Sequence, residues 1–196
     1  MSRDLVNELE WLAHAVHSGQ LRLPYDDESY LAEEDLYDFA RANGIDASRM
    51  HYMIEQCLLV PQRNGLRGRL YNACSMSDTM DFVDKMGEAG LSIELQQVIV
   101  QEMSGLEEML WRETISHYRK TYPVAREGTL ADARLRVAAS VSVINTIHKE
   151  RQWVLAGTTT DSSRQKQLER YLASSTAQKR VKAARLERLE RLYGGS

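Results

Sequence analysis

The sequence predicts a mainly α fold with one small β-hairpin, and three observations carry that expectation. Apolar residues recur at helical spacing over most of the 196 residues. Outside Arg69-Leu70-Tyr71, no segment reads as a strand. Between residues 44 and 71, GIDASRMHYMIEQCLLVPQRNGLRGRLY, a compact helix meets a proline stop and then a basic loop holding Gly65 and Gly68. That order predicts a winged helix-turn-helix, a helix for a groove and a loop beside it, followed by a long-helix C-terminal region.

Taken in order, residues 3–18 place Leu5, Val6, Leu9, Leu12, Ala13 and Val16 on one helical face, and Gly19 ends the helix. Pro24 and Asp26-Asp27 mark a loop. A helix over 32–43 turns Leu36, Phe39 and Ala40 inward, and Glu33, Glu34 and Asp35 complement the dipole at its start. Asn43-Gly44 is a left-handed stop. Asp46 caps a helix over 47–56 that buries Met50, Ile54 and Cys57. Leu58-Leu59-Val60 enter the core and Pro61 stops the helix; Gln62 to Gly68 is the loop, and Arg69-Leu70-Tyr71 return as a strand. Residues 78–89 form a helix ended by Gly90. Ser92 caps a long helix to Thr121, with a bend expected at Ser104-Gly105. Thr129 caps another to Ala156, whose nearly uncharged middle predicts burial all round. A last helix is expected over 162–193. The chain thus divides into an acidic helical extension over 1–31, the winged helix-turn-helix over 32–91, a helical dimerisation or core region over 92–160, and a basic C-terminal helix over 161–196.

The net charge of −3 hides an asymmetry. Asp4, Glu8, Glu10, Asp26, Asp27, Glu28, Glu33, Glu34, Asp35 and Asp38 face only Arg3 and Arg22 in the first 40 residues. Residues 41–71 then carry Arg41, Arg49, Arg63, Arg67 and Arg69 against Asp46 and Glu55. A local basic field of this kind suits nucleic acid, whatever the total. In the helix over 47–56, Ser48, Arg49, His51 and Tyr52 fall on the outward face, where short polar groups and an arginine can meet base edges. Arg63, Arg67 and Arg69 on the loop suit phosphates, which fix register without reading sequence. Tyr71 can pack or add a phosphate hydrogen bond.

Other classes find little support. No apolar run approaches the roughly 20 residues that cross a bilayer, and the acidic N-terminus does not match a secretory leader. A cytoplasmic location is therefore expected. Cys57 reads as a buried thiol, and His14 and His17, one turn apart, lack the further ligands a metal needs. No phosphate loop or nucleophile motif occurs, so neither an enzyme nor a cofactor is expected.

Residues 36–99 resemble the DNA-binding domain of MerR-type transcriptional regulators. That family places a Gly-Val-Ser turn before a helix with Leu-Arg-Tyr-Tyr, then Gly-Leu-Leu, Pro, Arg, a Gly-Tyr-Arg-x-Tyr wing and Leu-Gly-Leu-Ser. The same places hold Gly44-Ile45-Asp46, Met50-His51-Tyr52-Met53, Cys57-Leu58-Leu59, Pro61, Arg63, Gly68-Arg69-Leu70-Tyr71 and Ala89-Gly90-Leu91-Ser92. His51 stands where the family usually has Arg, Met53 replaces the second Tyr, and residues 1–31 precede the domain. No cysteine beyond Cys74 follows the wing, so metal sensing is not expected. The resemblance implies double-stranded DNA as partner, transcriptional regulation, and a homodimer joined through the helix after Ser92.

Two alternatives stand beside it. Phage terminase small subunits and excisionases use similar winged helices for packaging or recombination. A helical protein-interaction adaptor would instead engage a partner through the acidic N-terminus or through Lys179, Arg180, Lys182, Arg185, Arg188 and Arg191 of the C-terminal helix. The acidic segment is expected as a solvated extension, with folding over the basic wing as the alternative.

Overall fold

Helical periodicity becomes six α-helices in the computed structural model, which describes residues 3–66 and 68–157. The helix expected over 162–193 lies outside the described residues. In chain order the elements are α1 (Arg3–His17), a 3-10 turn (Asp27–Ser29), β1 (Tyr30–Ala32), α2 (Glu33–Ala42), α3 (Ala47–Glu55), β2 (Arg63–Gly65), β3 (Gly68–Asn72), α4 (Ala73–Glu88), α5 (Ile93–Thr121) and α6 (Leu130–Gly157). The strands form an antiparallel sheet in the order β1-β3-β2, with Tyr30 opposite Asn72, Leu31 opposite Tyr71 and Arg63 opposite Leu70. The β1 strand corrects the expectation that the wing holds all the β structure. Three residues are too few to show alternation, and pairing with β3 defines them.

Local chemistry sets the α2–α3–wing path. The Asp46 carboxylate accepts from the amides of Ser48 at 2.9 Å and Arg49 at 3.1 Å, which starts α3. At its other end the Leu58 amide donates to the Met53 carbonyl at 2.7 Å and the Cys57 amide to Ile54 at 3.0 Å. Those are the paired bonds of a Schellman end. They place Cys57 at φ 54, a left-handed conformation usually left to glycine. The reversal drops Leu58, Leu59 and Val60 into the core. Gly68, at φ +105, closes the hairpin in a conformation that side chains resist.

Two helices differ from expectation. α4 starts at Ala73 rather than 78, because the buried Asn72 ends β3 and also caps the helix. Its Oδ1 accepts from the amides of Cys74 at 3.1 Å and Ser75 at 3.3 Å. α6 is not buried all round: Val141 and Ile144 are 38% and 42% exposed, because α1 and α5 cover only part of it. α5 runs through Ser104-Gly105 as one helix, with the Leu95 amide donating to Ser92 Oγ at 3.4 Å.

The main core joins the winged unit to α5 and the end of α6, through Leu36, Met50, Ile54, Met80, Ile99 and Val154. A second cluster seats α1 on α6, through Ala13, Val16, Ala133 and Val137. A third holds Tyr25 stacked on Trp111 at 4.8 Å, against Ala139, Val143 and Ile147. Gln97 of α5 donates to the Gln56 carbonyl at 2.6 Å, which fixes α5 to the end of α3. Among the described residues, no helix is long and apolar enough to cross a membrane.

Glu107 of α5 lies in this interior and accepts from the Tyr25 hydroxyl at 3.0 Å. Burial raises its carboxyl above the ordinary range; the Arg151 charge and the Tyr25 hydrogen bond oppose the shift, and Glu108 and Asp78 add to it.

Leu36→Ala should cost about 2–5 kcal/mol in urea denaturation, since Leu36 is fully enclosed. The folded state holds the Glu107 proton more tightly than the unfolded chain does. Stability should therefore fall as pH rises from about 4.5 through the folded titration. Glu107→Gln should flatten that part of the pH profile, and an unchanged profile would contradict the assignment.

Candidate nucleic-acid interface

The α2–α3 pair leaves one face of α3 exposed. Met50, Met53 and Ile54 pack inward, while Ser48, His51 and Tyr52 point out, Tyr52 with 51% of its surface accessible. The Nδ1 of His51 is 2.6 Å from the Tyr37 hydroxyl on α2, so the imidazole is held in place. These three residues stand where the sequence puts them.

Arg49 does not extend outward. Its guanidinium turns back onto α4 and pairs with Asp84 and, at 3.4 Å, with Asp81. Its Nε is shut off from solvent with no acceptor of its own. The two acids sit three residues apart on one face of α4, and together they offer a better site than open solvent.

Arg63 is engaged in the same way. At the base of the hairpin it pairs with Asp27 at 2.6 Å and Glu108 at 3.5 Å, and its guanidinium lies 3.7 Å over the Tyr30 ring. That geometry ties the N-terminal loop, the sheet and α5 together through the guanidinium that the sequence assigns to a phosphate. Tyr71 is also corrected: it is 4% exposed, paired with Leu31 within the sheet, and cannot reach a phosphate. Arg69 is half-buried on β3 opposite Asn64. Arg67 lies outside the described residues.

The acids missed by sequence reasoning decide the electrostatics. Asp78, Asp81, Asp84 and Glu88 form an exposed stripe on α4. Their spacing was visible, but not that the stripe lies beside α3. Over residues 30–91, Arg41, Arg49, Arg63, Arg67, Arg69 and Lys85 face Glu33, Glu34, Asp35, Asp38, Asp46, Glu55 and that stripe. Of the acidic segment, Asp27 pairs with Arg63 at the hairpin base, while α1 packs on α6. Among the described residues no cluster of metal-ligating side chains occurs.

No family model, curated protein or solved structure matches the chain.

Asp84→Asn should release Arg49 at little structural cost. The pair is partly exposed, so urea denaturation should register a loss below about 1 kcal/mol. A larger loss would make the pair a structural anchor of α3 on α4.

Proposed function

We propose that the chain binds duplex DNA through the exposed face of α3, as a homodimeric regulator of the MerR kind. The observation that supports this is the topology. A capped helix stands after a tight turn, a hairpin pairs beside it, and the sheet order β1-β3-β2 sets both on one core. Ser48, His51 and Tyr52 would meet base edges, and Arg49 would leave Asp81 and Asp84 for a base or phosphate. The excess of acids in the winged unit limits the sequence-independent grip, so binding would depend on base contacts more than on phosphate charge.

That same charge distribution favours a second reading, in which the winged unit is an interaction module for a basic protein surface. The fold alone does not choose between the two.

The deciding measurement is fluorescence anisotropy of the full chain with a random duplex pool over several salt concentrations, followed by selection of the bound sequences. DNA binding predicts saturable association that weakens with salt and an enriched sequence. Arg49→Ala should then cost about 1–3 kcal/mol on the selected site and relax its preference. Absence of salt-sensitive binding, or an equal loss on every sequence, would remove α3 as a base reader.

A further inference from the structure

A groove of about 390 Å³ lies between α3, α4 and the start of α5. Met53, Leu58 and Val83 form its apolar floor, and the exposed Tyr52 and Ile93 stand on its walls. Its charged lining residues are both acids, Asp84 and Glu88 of α4. They belong to the exposed stripe Asp78, Asp81, Asp84 and Glu88, whose intervals of three and four residues run along one side of the helix. Arg49 spans Asp81 and Asp84 from the α3 side and leaves both side chains partly exposed. An apolar groove edged by carboxylates fits an amphipathic segment with a basic flank.

The chain carries such a segment. Leu186, Leu189 and Leu192 recur every three residues, and Arg185, Arg188 and Arg191 each precede one of them. Glu187 and Glu190 each follow a leucine. On the expected helix the arginines and Lys182 therefore flank the apolar ridge on one side and the acids on the other. The spacing of the bases nearly matches that of the α4 acids. Reach is sufficient. Leu155, close to the end of α6, lines a cavity between α4 and α6 together with Asp81 and Lys85, so the chain leaves α6 beside α4. Residues 158–178 span roughly 30 Å at helical rise and more when extended. Ser174-Ser175-Thr176 within them are weak helix formers, where the chain can turn. The 16-residue α4 is about 24 Å long. A covalent tether also raises the local concentration of the segment to about millimolar, which favours the same chain over a second copy in dilute solution.

We propose that residues 179–193 dock on the α4 face of their own chain. Leu186, Leu189 and Leu192 enter the groove against Leu58, Val83 and Ile93, and Lys182, Arg185, Arg188 and Arg191 meet the acid stripe. The contact rests on apolar shape and charge, not on the DNA reading. Tyr52 borders the groove and also belongs to the outward face of α3, so the docked segment covers one edge of the surface proposed for DNA.

The test is paramagnetic NMR of the full chain, with a nitroxide attached at Glu187→Cys in a Cys74→Ser background; Cys57 is buried and stays unlabelled. The amide signals of Val83, Gly87 and Ile93 should lose intensity, while those of α1, which packs on α6, should keep theirs. Asp78→Lys combined with Glu88→Lys should restore most of the lost intensity, because repulsion replaces attraction. Both positions are exposed, so the fold should hold, and unchanged α1 and α5 signals verify that it does. Equal loss on α1 and in the groove would overturn the proposal. So would absence of loss in the groove, or full loss retained in the double variant. Labelled chain mixed with unlabelled, isotope-enriched chain separates the two sources of the segment. Loss of groove intensity in that mixture would mean that a second copy supplies it, and would overturn docking within one chain. No nucleic acid is present, so none of these outcomes depends on whether α3 binds DNA.

Discussion

Asn72 is the contact on which most of the arrangement depends. One buried side chain caps α4 with its oxygen and donates from Nδ2 to the Pro24 carbonyl at 2.6 Å. Its own amide donates to Gln62 Oε1 at 2.9 Å. The N-terminal loop, the hairpin base and the start of α4 therefore meet at a single residue. Remove the side-chain amide and the first turn of α4 loses its acceptor and the Pro24 carbonyl its donor. The orientation of α4 follows from that junction. So do the position of Asp81 and Asp84 beside α3 and the shape of the cavity against α6.

The arginines of the central segment show how charge read along a chain differs from charge read in space. Arg49 and Arg63 look like contact residues when only their own segments are counted. In the fold each faces carboxylates from remote segments: α4 for Arg49, the Asp27 turn and α5 for Arg63. Guanidinium groups make strong paired hydrogen bonds to carboxylates, so an arginine beside two acids is held before any outside ligand arrives. A DNA partner would have to exchange with those carboxylates rather than meet a vacant cation.

Much of the fold was legible in local signals. Asp46, Ser92 and Thr129 are caps whose partners lie within three residues, and each starts its helix where expected. The inward set Met50 and Ile54 follows from periodicity and is fully enclosed. What stayed hidden was long-range. β1 exists through pairing with residues some forty positions away. Asn72, unassigned from the sequence, ends β3 and caps α4 through contacts that only the fold brings together. The burial of Tyr71 depends on the sheet it joins, and the partial exposure of α6 on which neighbours reach it. In the candidate site, the outward face of Ser48, His51 and Tyr52 was readable from helical spacing, whereas the ion pairs that restrain Arg49 and Arg63 were not.

Asp81 lines the hollow between α4 and α6 and also pairs with Arg49, but Asp84 holds the same guanidinium more closely. Two carboxylates of one helix thus share one cation, and only one of them borders the hollow. A change there that displaced Asp81 would leave Arg49 on Asp84, so the outward helix is buffered against events on the other side of α4.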